Sequence, residues 1–209
     1  FTLSRWIFTD VRFILVIFHV LAVWGLKKLV WNTIFTNTQK WLFIFLWLTF
    51  PVIYFVLEQS WVDIFILPSI FFTAYYLEKE KILKAALWIG IACAVKQYMI
   101  FMTLLFIVYI FKRYGFKRMV HSILVMTITT LTIAAPFLIW DYQLFFEKTV
   151  IDLLKLGFRD DALSWVAYFS KLHGIYINGT VSGIIYLITF IALIINLLKL
   201  KKIEVKDLY

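Results

Sequence analysis

The protein has 209 residues, of which 64% are hydrophobic and only 16% are charged. Soluble domains are roughly 45–50% apolar and about 25% charged, so the composition excludes an ordinary soluble domain and indicates an integral membrane protein. The net charge of +9 does not indicate a nucleic-acid partner. Most basic residues flank apolar runs, as they do in the cytoplasmic loops of membrane proteins.

Three apolar runs in the first part of the chain predict membrane spans, at about 11–26, 41–57 and 61–77. The runs are continuous rather than alternating, which favours helices over a β-barrel. Pro51 lies near the middle of the second run, where it predicts a kink. Pro68 lies inside the third, where neighbouring helices or water can satisfy the freed carbonyl.

The apolar run over residues 82–111 is too long for one span and too short for two. As one helix it measures roughly 45 Å, against a hydrocarbon core of about 30 Å. Basic residues flank both ends, which indicates that both ends are cytoplasmic. We therefore predict a hairpin of two short helices that meet at Lys96 and Gln97, near the outer side of the membrane. A single steeply tilted helix is the alternative.

The remaining chain predicts two more spans, at about 119–140 and 180–198, on either side of a mixed segment. In that segment, helically spaced apolar residues oppose charged ones, which predicts an amphipathic helix on the membrane surface. These apolar residues are Phe145, Phe146, Val150, Leu153, Leu154 and Phe158. Segments 1–10, 58–60 and 141–178 are expected on the outer side.

The expected fold is therefore all-α. It is a polytopic transmembrane helical bundle with short paired helices and an outer amphipathic helix. No repeat, linker or low-complexity tract divides the sequence, so we expect residues 1–209 to form a single transmembrane domain.

Polar residues near Asp63 and Lys96 are the first candidates for a functional site. Charged side chains at membrane depth cost about 2.5–3.5 kcal/mol each on insertion scales, so they mark functional positions. Glu58, Gln59 and Asp63 open the third apolar run, and Lys96 and Gln97 end the next one. Three alternatives stay open: Glu58 as a helix cap in water, Asp63 as a surface charge, and Lys96 as a snorkelling cation.

Arg159 and Asp160 form a second candidate pair, in the outer loop. Their side chains suit a phosphate and a hydroxyl, and they equally suit a solvated turn. No histidine or cysteine pair has metal-ligand spacing, and the single Cys93 excludes a disulfide within one chain.

These residues also carry a family resemblance. The sequence resembles the GT-C-type polytopic membrane glycosyltransferases, in particular the bacterial and archaeal mannosyltransferase-like group. The matching motifs are Asp10-Val11-Arg12, Gln59 with Asp63, the helix ending in Lys96-Gln97, Pro136-Phe137, Trp140-Asp141 and Arg159-Asp160.

The resemblance implies sugar transfer from a polyprenyl-phosphate-linked donor to a glycan or lipid acceptor. The reaction is expected at the outer face of a multi-pass protein in a prokaryotic plasma membrane. Membrane lipids are the other expected partners, nucleic acid is not, and a divalent metal requirement stays open. The family places its catalytic carboxylate on the first outer loop, so we expect the general base in an N-terminal part that precedes Phe1.

Within this resemblance Lys96 is expected to contact the donor phosphate, with Arg159 as the second candidate. Gln59 and Asp63 are expected to orient the sugar or acceptor, or to hold Lys96. Glu58, Gln97 and Asp160 complete the candidate binding residues.

Two other classes of function compete with the transferase. Broken helices that meet at polar groups also suit a transporter or flippase for a lipid-linked or anionic substrate. An inverted repeat would favour that alternative, but the segment lengths before and after residue 82 do not mirror each other. A structural membrane subunit without a site would leave Asp63 and Lys96 unexplained.

Overall fold

The computed structural model describes residues 10, 12–58, 62–96, 98–152, 168, 172 and 179–199. Every regular element in these residues is helical, which confirms the all-α prediction. The described residues divide between two compact units, the first ending at Ala134 and the second beginning at Ala135.

The first two helices are joined by a short loop with a well-formed helix start. Helix α1 covers Arg12–Trp31 and helix α2 covers Asn37–Thr49. Thr36 precedes α2 as its N-cap: its hydroxyl accepts from the Gln39 backbone N–H at 3.3 Å, and the Gln39 side chain accepts from the Thr36 N–H at 2.9 Å. This reciprocal capping box satisfies two backbone donors that the helix itself leaves unpaired.

Proline positions differ from the sequence expectation in two places. Pro51 does not kink a continuous helix: Phe50 is extended, and Pro51 begins helix α3, Pro51–Glu58. Pro68 is not inside the third helix but in its first turn, in helix α4, Leu67–Glu78. Proline fits both positions because the N–H groups of a first helical turn have no intrahelical partner.

The third apolar run is consequently not one membrane-length helix. A 3₁₀ turn over Val62–Phe65 comes before α4. The 12 residues of α4 extend about 18 Å, well short of the hydrocarbon core.

The predicted hairpin is confirmed. Helix α5 covers Ile82–Val95 and helix α6 covers Met99–Tyr114, with Lys96 extended between them. The two helices fold against each other, since Cys93 Sγ lies 2.8 Å from Thr103 Oγ1. The alternative of one tilted helix is wrong, because the backbone leaves the helical conformation at Lys96.

A close crossing joins α5 to helix α7, which covers Phe116–Trp140. A Cβ placed on Gly90 of α5 would lie 2.8 Å from the Met126 carbonyl oxygen and 2.9 Å from Thr129 Cβ. Thr130 Oγ1 donates to the Gly90 carbonyl at 2.9 Å. Only a residue without a side chain lets the two backbones approach this closely, as is common between helices in membranes.

Helices α1, α4 and α5 pack through small residues and aromatic rings. A Cβ on Gly25 of α1 would lie 3.0 Å from Phe71 Cβ of α4. Phe72 then stacks on Trp88 of α5, with ring centroids 4.6 Å apart. At the α4–α5 turn Glu80 adopts a positive φ of 55° and pairs with Arg113 of α6 at 3.0 Å.

The second unit contains helix α8, Tyr142–Phe146, and helix α9, Gly179–Lys199. Asp141 caps α8 by accepting from the Leu144 N–H at 2.9 Å. Beyond α8 the chain widens into a π-helical turn over Glu147–Ile151. The predicted amphipathic helix is thus described only as far as Asp152, and Leu153, Leu154 and Phe158 lie outside the described residues.

The surface matches an integral membrane protein. Among the described residues, three helical stretches are long and apolar enough to cross a membrane: Arg12–Trp31, Asn37–Glu58 and Met99–Trp140. Large apolar side chains lie on their outer surfaces, such as Phe45, which is 60% exposed. Such exposure is expected where lipid rather than water is the solvent.

We predict that Gly90→Val destabilises the protein by about 1–3 kcal/mol, because the new side chain overpacks the crossing with α7. Leu87→Val is the matched control, since Leu87 lies on the exposed face of the same helix. Thermal unfolding in detergent measures both. An unchanged unfolding temperature for Gly90→Val would contradict the α5–α7 crossing.

Candidate functional site

Asp63 is held by a buried turn at the start of the third apolar run. It lies in the 3₁₀ turn Val62–Phe65, and its carbonyl accepts from the Ile66 N–H at 3.1 Å. Ile64, within the turn, and Ile66, directly after it, are only 1% and 3% exposed. These two side chains fix the backbone, so that the Asp63 carboxylate is left at the surface of the fold.

Lys96 is positioned by the hairpin break. It follows the last residue of α5 as the C-cap, where its N–H still donates to the Ala92 carbonyl at 3.0 Å while its backbone is extended. Ile66, Ala92 and Met99 pack together as a buried cluster. This cluster joins the 3₁₀ turn to the hairpin break and brings Asp63 next to Lys96.

Three side chains meet at this point, and we call them the Asp63–Lys96–Tyr98 cluster. Lys96 Nζ lies 3.2 Å from Asp63 Oδ1. The Tyr98 hydroxyl donates to the same carboxylate oxygen at 2.9 Å, and the Tyr98 ring centroid lies 5.7 Å from Lys96 Nζ.

The ion pair between Lys96 and Asp63 is partly exposed rather than buried. The Lys96 and Asp63 side chains are 26% and 43% exposed. An ion pair with this exposure contributes about 0–1 kcal/mol. An anionic group that reaches Lys96 therefore competes with Asp63 at little cost, whereas the aromatic ring of Tyr98 keeps the ammonium group in place.

Of the other predicted site residues the structure describes only Glu58, and Glu58 does not join this cluster. Glu58 is exposed at the end of α3 and forms no ion pair with any described residue. Gln59, Gln97, Arg159 and Asp160 lie outside the described residues. Their assignments stay predictions.

Tyr98 is the site residue that the sequence analysis missed. Aromatic residues are 20% of this chain, and tyrosine is common at membrane interfaces for reasons unrelated to a site. The sequence did contain one signal for Tyr98: it comes two residues after Lys96, so its ring lies in the same turn between α5 and α6.

The second unit has a separate apolar cavity of about 360 Å³, lined by Phe137, Trp140, Asp141, Leu144, Phe145, Lys148 and Thr149. The lysine in its wall is paired with Asp152 at 2.8 Å. This pairing neutralises the positive charge, so the cavity presents an apolar surface rather than a phosphate site.

Possible metal ligands are scattered. In the parts of the chain that the structure describes, no three histidine, cysteine or acidic side chains come close enough together to hold a metal ion. The chemistry of the Asp63–Lys96–Tyr98 cluster is thus that of one cation, one carboxylate and one hydroxyl.

Comparison with known proteins identifies the family. The model of glycosyltransferase family 87 matches residues 2–200, nearly the whole chain. No curated protein and no solved structure gives a significant match. Family membership favours the transferase over the transporter and the structural subunit. The chain belongs to glycosyltransferase family 87 and is a membrane glycosyltransferase of the GT-C type.

Proposed function

We propose that this glycosyltransferase moves a hexose, with mannose as the first candidate, from a polyprenyl-phosphate-linked donor to a glycan or lipid acceptor. We further propose that it is a multi-pass protein of a prokaryotic plasma membrane and that it acts at the outer face. The observation that supports a phosphate-linked donor is the accessible Lys96 ammonium group, whose counter-ion among the described residues is the half-exposed Asp63 carboxylate.

In this reaction the acceptor hydroxyl attacks the anomeric carbon of the sugar, and the bond from that carbon to the phosphate oxygen breaks. The electron pair of this bond stays on the departing polyprenyl phosphate, which gains negative charge. A preorganised cation stabilises such developing charge. Lys96 is proposed for this role, with Arg159 as a second phosphate contact.

Asp63 and Tyr98 are proposed as positioning residues. Asp63 Oδ1 forms an ion pair with the Lys96 ammonium group and accepts a hydrogen bond from the Tyr98 hydroxyl. The carboxylate therefore orients the lysine until the phosphate binds. The acceptor hydroxyl also needs a general base, and a carboxylate held by two donors is poorly suited to that role. Glu58, Gln59, Gln97 and Asp160 remain proposed contacts to the sugar or acceptor.

The first test is sugar transfer by the protein expressed from its complete gene and reconstituted in vesicles. Radiolabelled polyprenyl-phosphate sugars are compared with the corresponding nucleotide sugars. Transfer from the lipid-linked donors alone is expected. Transfer from nucleotide sugars alone would contradict the proposed donor, and movement of the lipid across the vesicle without transfer would favour the flippase.

Lys96→Ala is predicted to lower kcat by about 10²- to 10³-fold, the usual cost of removing one group that stabilises transition-state charge. Lys84→Ala is the matched control, because Lys84 lies at the other end of the same helix. Steady-state kinetics with the lipid-linked donor measure both variants. Equal activity of Lys96→Ala and the wild-type protein would refute the phosphate contact.

Tyr98→Phe is predicted to lower kcat/KM by about tenfold, because it removes one hydrogen bond to a charged group. The aromatic ring beside Lys96 is kept. Tyr98→Leu removes the ring as well, so a larger loss is expected. Since Tyr98 is 51% exposed, both variants should unfold at the wild-type temperature, which separates positioning from a folding defect. Equal losses in the two variants would contradict a contribution from the ring.

A further inference from the structure

Lysine and tryptophan side chains gather at the C-terminal end of α1, in what we call the lysine–tryptophan cluster: Trp24, Lys27, Lys28, Trp31, Lys40 and Trp41. Lys27 Nζ lies 5.2 Å from the ring centroid of Trp31 and 5.6 Å from that of Trp41. Lys28 Nζ lies 5.2 Å from the ring centroid of Trp24. All three distances are within the range of cation–π attraction. Aromatic rings therefore position both ammonium groups.

The positive charge of this cluster is not neutralised within the described part of the chain. None of its lysines forms an ion pair with a carboxylate there. Lys40 Nζ donates instead to the backbone carbonyl of Trp31 at 3.3 Å, which fixes α2 against the end of α1. Glu78 ends the neighbouring helix α4 and also forms no ion pair with them. Within the described residues, these three lysines thus carry positive charge without a carboxylate partner.

The cluster lies at adjoining ends of two candidate membrane spans. The candidate span Arg12–Trp31 ends at it, and the candidate span Asn37–Glu58 begins at it. The loop between these spans carries Ile34, which is 98% exposed. Tryptophans beside lysines, with an apolar side chain at the loop tip, match the boundary between lipid headgroups and acyl chains.

We propose that the lysine–tryptophan cluster is a binding site for the phosphodiester headgroup of an anionic phospholipid. The ammonium groups of Lys27 and Lys28 contact the phosphate, and the indole rings contact the glycerol and upper acyl region. A lipid fits better than free phosphate because apolar rings surround the charges and the spans end at this depth.

This site is distinct from the Asp63–Lys96–Tyr98 cluster. Helix α4 lies between the two sites. Before its first turn, the ring centroid of Phe65 lies 4.5 Å from that of Phe18 of α1. Near its last turn, the ring centroid of Tyr75 lies 5.8 Å from Lys28 Nζ. The lipid site can therefore be tested without any measurement of sugar transfer.

The test is native mass spectrometry of the purified protein in detergent, titrated with phosphatidylglycerol or phosphatidylcholine. Membrane-surface attraction corresponds to about fivefold in affinity per lysine. Lys27→Gln/Lys28→Gln is therefore expected to weaken phosphatidylglycerol binding by about tenfold or more and to leave phosphatidylcholine binding unchanged. Lys27→Arg/Lys28→Arg keeps the charge and is expected to retain most of the binding.

The matched control is Lys79→Gln/Lys81→Gln, which removes two exposed lysines at the α4–α5 turn. It is expected to leave phosphatidylglycerol affinity unchanged. An equal loss of phosphatidylglycerol affinity in both double variants would show that diffuse charge attraction, rather than a specific site, binds the lipid. No loss in either double variant would refute the site. Displacement of the lipid by equimolar glycerol phosphate would make it a site for free phosphate. If the double variant does not fold, the single Lys27→Gln and Lys28→Gln variants carry the test, each with an expected loss of about fivefold.

Discussion

The break between α5 and α6 determines the geometry of the candidate site. At Lys96 the backbone is extended, with φ −143° and ψ 128°, so the chain turns back instead of continuing as a helix. An ammonium group in the middle of a long helix would face either lipid or another helix. At a helix end it lies in a turn, where it reaches both a carboxylate from an earlier segment and a ligand from outside.

Small residues make that turn possible by allowing close helix packing behind it. Gly90 brings the α5 backbone against α7, and Ala85, Ala86 and Ala92 of α5 have no exposed surface. Lipid gives little hydrophobic driving force for helix association, so close van der Waals contact and interhelical hydrogen bonds such as Thr130 to Gly90 are needed instead. Ala92 also packs with Ile66, the residue that follows the 3₁₀ turn carrying Asp63.

Charge in this protein is arranged differently at the two ends of α4. Near its start, Lys96 is paired with the Asp63 carboxylate, which also accepts a hydrogen bond from the Tyr98 hydroxyl. Near its end, Lys27 and Lys28 are positioned by aromatic rings without an acidic partner in the described residues. A lysine with a weak, exchangeable counter-ion suits a substrate that binds and leaves. Lysines that have no counter-ion among the described residues suit a ligand that is present throughout the membrane.

The sequence by itself determined the membrane class and the helical fold and favoured the hairpin, because apolar run length and basic flanks depend only on local composition. It also singled out Asp63 and Lys96, since ionisable residues are rare in apolar runs. Only the tertiary structure decided that Pro51 and Pro68 begin helices, that Asp63 and Lys96 are in contact, and that Tyr98 joins them. The meeting of Asp63, Lys96 and Tyr98 depends on the buried contact among Ile66, Ala92 and Met99, and contacts between residues distant in sequence leave no trace in local composition.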